Sequence, residues 1–84
     1  MSYRAALMIP VYNHPHHLAA LVEYLSQFAL PIVLVNDGSN AETSQILRDL
    51  AAQYTDVVLV EHAQNMGKGQ AVMTGLRRAA ELGC

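Results

Sequence analysis

The sequence predicts a three-layer α/β domain with an open parallel sheet, and three observations support that fold class. First, three short apolar runs are rich in β-branched residues and lack polar alternation, which is typical of strands covered on both faces. These runs are 5–9, 32–35 and 57–60. Second, a helical pattern follows each run, so the element order is β-α-β-α-β-α. Third, the 84 residues are 52% hydrophobic and 14% charged, which allows one small domain and excludes a disordered tail or a linker.

The first strand is expected to end at Pro10. The helix after it is expected to begin at Pro15, because proline suits the first turn of a helix. Apolar residues then recur at helical spacing and form one stripe, which consists of Leu18, Leu21, Val22, Leu25 and Phe28.

The other two helices are predicted from the same kind of pattern. The second follows an N-cap at Asn40 or Ser39, and the third runs from about Lys68 to Leu82, where Gly83 is expected to end it. The apolar stripe of the second helix is Ile46, Leu47, Leu50 and Tyr54, and that of the third is Val72, Leu76, Ala79 and Ala80.

Charge and cysteine content exclude several classes of function. The formal net charge is −2, from five Lys and Arg against seven Asp and Glu, and without a basic patch nothing favours nucleic-acid binding. The single cysteine, Cys84, cannot form an internal disulfide, and no apolar run reaches the roughly 18 residues of a membrane span. The apolar stretch near the N-terminus is too short for a signal peptide. We therefore expect a cytoplasmic protein.

Ligands of open α/β sheets bind outside the carboxyl ends of the strands. In this sequence those ends are followed by polar or glycine-containing segments at 10–14, 36–39 and 61–69. Because parallel strands end at the same edge of a sheet, we expect the three segments to lie together, and the function to lie with them.

The segment after the second strand, Asn36 to Ser39, has two interpretations. These residue types are common in a turn that ends in a helix cap. Alternatively, Asp37 accepts hydrogen bonds from the N–H or hydroxyl groups of a ligand, and Gly38 allows the ligand to approach the backbone closely.

The segment after the third strand, 65–71, places two glycines and a lysine at a predicted helix N-terminus, which suits an anion. It is not a P-loop, because His62 stands where the first glycine is needed, nor a dinucleotide-binding fingerprint, because Val72 stands where the last glycine is needed. The alternative for Lys68 is a solvated lysine at a helix start.

Four histidines suggest a metal site, but the pattern is poor. Pro15 interrupts the spacing, and adjacent residues of a helix diverge by roughly 100°. We therefore favour surface imidazoles over metal ligands for His14, His16, His17 and His62.

Three motifs occur in order along the chain. They are Ile-Pro-Val-Tyr-Asn at 9–13, Val-Asn-Asp-Gly-Ser at 35–39 with Thr43 downstream, and Asn-Met-Gly-Lys-Gly-Gln-Ala at 65–71 followed by Gly75. Together they resemble the start of a family 2 glycosyltransferase with the GT-A fold, similar to the polyprenol-phosphate sugar synthase branch. The resemblance covers essentially the whole chain. It implies that 1–84 is a single partial domain, the N-terminal half of a Rossmann-like GT-A domain, with strand order 3-2-1 and the third helix on the opposite face.

The resemblance implies a site for a nucleoside-diphosphate sugar of the UDP or GDP type. Pro10 and Tyr12 would border the base and ribose, Asp37 would bind the base edge, and Lys68 would lie near the ribose and diphosphate. The whole set of nucleotide-sugar-binding residues is Pro10, Val11, Tyr12, Asp37, Gly38, Asn65, Gly67 and Lys68.

The chain departs from the family pattern in two respects. The family commonly has Glu where this sequence has His14. The family's metal-binding Asp-x-Asp, its catalytic carboxylate and its acceptor site come after the position of Cys84. The divalent cation expected for the full-length enzyme, Mg²⁺ or Mn²⁺, would then have no ligands within this chain, which would hold no catalytic residue either.

We therefore expect an N-terminal fragment of an inverting glycosyltransferase, inactive alone, whose acceptor is polyprenyl phosphate or a saccharide or lipid hydroxyl. The alternative is a non-catalytic α/β module that binds a nucleotide or a protein. A nucleotidyltransferase fits poorly, because it would carry a Gly- and Arg-rich loop after the first strand. Without a fourth strand the first would keep an unpaired edge, so we expect self-association through that edge or through apolar helix faces. Membrane association of the longer enzyme stays open.

Overall fold

The computed structural model describes residues 5–83, and Cys84 lies outside them. Strands and helices alternate along the chain, as the sequence predicts. They are β1 (Leu7–Val11), α1 (Leu18–Ser26), β2 (Ile32–Asp37), α2 (Ala41–Gln53), β3 (Val57–His62) and α3 (Lys68–Glu81).

The three strands form one parallel sheet with β2 in the centre, in the spatial order β1-β2-β3. This is the predicted order 3-2-1 read from the other edge. In the register Leu7 pairs with Ile32, and Ile32 pairs with Val57. The carboxyl ends of the three strands therefore lie together at one edge of the sheet. Every residue of β2 is buried, which explains why its sequence is apolar without alternation.

The helices cover both faces of the sheet, so the three-layer architecture is confirmed. On one face Ile32 and Leu34 of β2 pack with Val22 of α1 and Leu47 of α2. On the other face Val33 and Val35 pack with Ala71 of α3, as the change of face predicted for the third helix requires. Alternate residues of β2 therefore belong to two separate apolar clusters.

The first β-α unit differs from the prediction at two points. Strand β1 continues through Pro10 to Val11, because an edge strand of the described sheet tolerates a residue without an N–H. Helix α1 begins at Leu18 rather than Pro15. The outer edge of β1 has no partner strand within residues 5–83, and self-association through it stays a prediction.

The predicted apolar stripes of α1 and α3 are partly wrong. In α1, Val22 is buried, but Leu21 is 42% exposed, and Phe28 lies beyond the helix. The buried face of α3 is Ala71 and Gly75, one position before the predicted Val72 and Leu76. The reason lies in the close approach of α3 to the sheet, which only small residues permit.

The predicted ends of α2 and α3 are confirmed. The Asn40 side chain accepts a hydrogen bond from the Thr43 amide at 2.8 Å and so caps α2. Gly83 follows α3 with φ +87°, and its amide donates to the Ala80 carbonyl at 3.0 Å.

Gly75 allows a test of the close packing between α3 and the sheet. A Cβ at Gly75 would overlap the Met8 side chain, including its sulfur at 2.8 Å, and would lie 3.2 Å from Val35 Cγ2. We expect Gly75→Ala to lower the free energy of unfolding by about 1–2 kcal/mol, because overpacking outweighs the gain of about 1 kcal/mol in helix propensity. Urea unfolding measures the change.

Gly69→Ala is the matched control, because a Cβ at Gly69 of the same helix would meet nothing within 4 Å. We expect that variant to be as stable as the wild type or more stable. Equal unfolding free energies of the two variants would contradict the close packing at Gly75.

Candidate functional site

A cavity of about 420 Å³ opens at the carboxyl edge of the sheet. Its walls come from the end of β1 and the first loop (12–17), the end of β2, the third loop (63–67), and the start of α3. The lining residues are Pro10, Val11, Tyr12, His14, Asp37, Asn65, Gly67, Lys68 and Ala71. The three segments that the sequence predicts at one edge therefore meet around one cavity.

Seven of the eight predicted site residues line this cavity, and Gly38 does not. Gly38 lines a second, more polar hollow on the α2 side. Two lining residues, His14 and Ala71, were not predicted. His14 directly follows the first motif, and Ala71 is the last residue of the third, so position next to a motif or within one is the signal that indicates them.

The carboxylate of Asp37 is buried at the centre of this edge, with 4% of its side chain exposed. Its Oδ1 lies 2.8 Å from His62 Nδ1 and accepts a hydrogen bond from the Met66 amide at 2.9 Å. Its Oδ2 accepts from Asn65 Nδ2 at 3.1 Å. Asp37 therefore attaches the third loop and the end of β3 to the end of β2.

Two opposing effects act on the pKa of Asp37. Burial raises the pKa, because the charged form loses solvation. Hydrogen bonds from the His62 side chain and the Met66 amide lower it, and so do the charge of His62 and the nearby backbone of Gly67. The lowering effects prevail and place the pKa below the ordinary value of 3.8, so the carboxylate is ionised at neutral pH.

The surface position predicted for His62 is wrong. Only 10% of its side chain is exposed, and its second ring nitrogen, Nε2, lies 2.8 Å from Thr74 Oγ1 of α3. This histidine belongs to no motif. The sheet register indicates its contact with Asp37, because the two residues are direct partners across β2 and β3. The other three histidines are exposed.

The first and second loops are joined by side-chain hydrogen bonds. The backbone N–H of Asn13 donates to Ser39 Oγ at 3.0 Å, and the backbone N–H of Asn40 donates to Asn13 Oδ1 at 2.7 Å. The Ser39 amide donates to Asn36 Oδ1 at 3.0 Å. The second loop (38–40) is thus a turn with a helix cap, as the first of its two interpretations predicts, and it also supports the cavity wall.

Gly38 has a positive φ of +69°, and the backbone of the third loop lies directly on it. A Cβ at this position would overlap the Asn65 nitrogen and the Gln64 carbonyl carbon, and would lie 2.8 Å from Gln64 Cα. The group that approaches Gly38 is therefore the third loop.

The start of α3 meets the cavity without a side-chain cap. Its N-cap residue is Gly67, with φ +92°, and no side chain bonds to the first amides of the helix. Lys68 is exposed and lines the cavity beside them. Free amides, the helix dipole and a lysine together provide a positive end for an anion.

The acidic and histidine side chains of residues 5–83 form no cluster of three that could hold a metal ion. Within the part of the chain that the structure describes, the lining of the cavity offers a divalent cation one carboxylate, that of Asp37, and no second acidic side chain. None of the helices within 5–83 is long and apolar enough to cross a membrane.

Comparison with known proteins gives the class of this chain. The profile of glycosyl transferase family 2 matches residues 6–81, so the chain belongs to that family. A dolichyl-phosphate beta-glucosyltransferase of Trichomonas vaginalis is 34% identical over 88% of this chain and 26% of its own length.

Two further relatives cover similar parts of the chain. A UDP-N-acetylglucosamine–dolichyl-phosphate N-acetylglucosaminyltransferase of Methanococcus voltae is 32% identical over 92% of this chain and 36% of its own. The structure of a mannosyltransferase from Pyrobaculum calidifontis, in complex with GDP-Man and Mn²⁺, superposes with a TM-score of 0.66 and 29% identity over 92% of this chain and 25% of that one. The α/β fold therefore matches a GT-A glycosyltransferase, and this chain spans about a quarter to a third of the relatives' length.

Gly38→Ala tests the contact between the second and third loops. We expect a loss of roughly 2–5 kcal/mol in the free energy of unfolding. The added Cβ would force the backbone of the third loop to move, and a positive φ is unfavourable for alanine. Urea unfolding measures the loss, and amide chemical shifts of Gln64 and Asn65 report the displaced loop. A loss below about 1 kcal/mol would contradict the contact.

The lowered pKa of Asp37 predicts acid sensitivity. The ionised carboxylate favours the folded state above the unfolded pKa of about 3.9, and this contribution is lost as the pH falls through the lower folded-state pKa. We expect the free energy of unfolding to fall below about pH 4, and to fall less steeply in Asp37→Asn.

Urea midpoints between about pH 6 and pH 2 measure this dependence. Asp49→Asn is the matched control, because it removes an exposed carboxylate of α2 that lies away from the cavity. Identical pH profiles of Asp37→Asn and wild type would contradict the assignment.

Proposed function

We propose that these residues form the nucleotide-binding half of a transferase domain and bind the nucleoside diphosphate of an activated sugar donor. The observation that carries the proposal is the pairing of two unlike groups around one cavity. An ionised, buried carboxylate, Asp37, is on one side, and the uncapped N-terminus of α3 with Lys68 is on the other.

Asp37 supports recognition of the base. An ionised carboxylate only accepts hydrogen bonds, so it suits a base edge that presents an N–H group, such as those of uracil and guanine. Oδ2 accepts a single protein hydrogen bond, from Asn65, and so has acceptor capacity left for a ligand. Oδ1 already accepts from His62 and Met66.

The walls of the cavity support the remaining parts of the nucleotide. Pro10, Val11 and the half-exposed Tyr12 give an apolar surface that suits a base and ribose. Lys68 and the free amides of α3 suit the negative charge of a diphosphate. The mannosyltransferase that resembles this chain was solved with GDP-Man, a ligand with these same parts.

For the whole protein we propose inverting transfer of the sugar to a polyprenyl phosphate. Relatives that cover most of this chain carry dolichyl phosphate in their names as acceptor. An ionised phosphate acceptor needs little help from a general base, since it has no hydroxyl proton to lose. The cation and acceptor would be bound outside residues 5–83, whose own task is to bind and orient the nucleotide.

Titration with UDP, GDP and inorganic pyrophosphate tests the proposal. We expect UDP or GDP to shift the backbone amide resonances of Asp37, Gly67 and Lys68, and to bind more tightly than pyrophosphate, which lacks a base. Unmoved amides at these positions, or pyrophosphate binding as tight as that of both nucleotides, would contradict the nucleotide site.

A charge variant tests the diphosphate end. Lys68→Gln is expected to weaken UDP or GDP binding by about three- to tenfold at low salt, because an exposed cation near a phosphate contributes modestly. Arg77→Gln is the matched control: it neutralises an exposed cation of the same helix that does not line the cavity. Equal effects of the two variants would contradict a specific role for Lys68.

A further inference from the structure

A chain of hydrogen bonds runs from α3 to the carboxylate at the cavity. Thr74 Oγ1 lies 2.8 Å from His62 Nε2, and His62 Nδ1 lies 2.8 Å from Asp37 Oδ1. The three residues come from α3, the end of β3 and the end of β2. Asp37 and His62 are register partners, so their side chains leave the sheet on the same face, which is the face that α3 covers.

The protonation states of Asp37 and His62 follow from the hydrogen bonds that join them. The ionised Asp37 carboxylate can only accept, so His62 Nδ1 carries a proton and donates. Nε2 then faces a hydroxyl that can rotate to donate to a neutral imidazole or to accept from a charged one. Each polar atom is matched, and a half-turn of the imidazole ring about its Cβ–Cγ bond would break both of its hydrogen bonds.

The two oxygens of Asp37 are engaged unequally. Oδ1 accepts from His62 and from the Met66 amide, whereas Oδ2 accepts only from Asn65. Loss of the His62 bond would leave one hydrogen bond on each oxygen, from Met66 and Asn65, and would loosen the restraint on rotation about the Cβ–Cγ bond. The orientation of the less engaged oxygen therefore depends on His62, and that of His62 depends on Thr74.

We infer that His62 and Thr74 are positioning residues, which hold the Asp37 carboxylate in the orientation that a nucleotide base meets. The inference rests on the proposed function. It assigns neither residue a contact with the nucleotide: neither lines the cavity. Their effect is on recognition of the base, whereas the diphosphate end of the site is formed by other groups, Lys68 and the first amides of α3.

Two pairs of variants test the inference in the purified protein. His62→Leu removes both ring nitrogens, and His62→Asn keeps a side-chain amide donor near the position of Nδ1. Thr74→Val removes the hydroxyl at nearly constant shape, and Thr74→Ser keeps it. The affinities of UDP, GDP and inorganic pyrophosphate are measured for each variant by calorimetry.

We expect His62→Leu to weaken binding of the preferred nucleotide by about tenfold or more, and Thr74→Val by about two- to fivefold, because a charge-assisted hydrogen bond is misdirected. Pyrophosphate affinity should change less than about twofold. His62→Asn and Thr74→Ser should recover most of the loss. If His62→Leu does not fold, the threonine pair still decides.

Three outcomes would overturn the inference. The first is wild-type nucleotide affinity in both His62→Leu and Thr74→Val, or in Thr74→Val alone if His62→Leu does not fold. The second is an equal loss for nucleotides and pyrophosphate, which indicates a merely structural role. The third is a nitrogen-15 spectrum of the wild-type imidazole that shows no proton on Nδ1. Failure of the proposed function is distinct, because the wild type itself would then bind neither nucleotide more tightly than pyrophosphate.

Discussion

A carboxylate buried at the end of the central strand must find hydrogen-bond donors, and this requirement shapes the functional edge of the molecule. Asp37 finds them at the end of β3 and in the third loop: a histidine ring, a backbone amide and a side-chain amide. Unpaired, such a charge would cost several kcal/mol. The third loop is consequently held against β2, and the start of α3 is brought to the same cavity.

Adjacent residues at the end of β2 serve opposite faces of the sheet. Asp37 points to the side of α3, whereas the Asn36 side chain donates to Ser44 of α2 at 2.8 Å and to Glu61 at 3.1 Å. Strand alternation makes this possible, because neighbouring side chains leave a strand in opposite directions. Two buried polar residues thus connect both helical layers to one strand end, and Gly38 after them leaves space for the third loop.

Much of this arrangement could be predicted from the sequence, because it depends on local patterns. Continuous apolar runs located the strands, and Asn40 and Gly83 located helix ends, since caps are set by neighbouring backbone groups. Hydrophobic spacing does not predict the buried face of α3, because tight packing against the sheet at Gly75 selects for small size rather than hydrophobicity. The sequence does not indicate that His62 is buried, because its partners are 25 and 12 positions away and only the sheet register and α3 bring them together.

The hydrogen bonds that join Asn13 to Ser39 and Asn40 have a consequence for the thermodynamics of association. The walls of the cavity are connected to each other by the protein's own groups, so a ligand does not have to order them. An incoming molecule would then lose mainly its own translational, rotational and internal freedom, and little of its binding free energy would be offset by loss of protein conformational entropy. A preorganised cavity of this kind favours association with little backbone rearrangement.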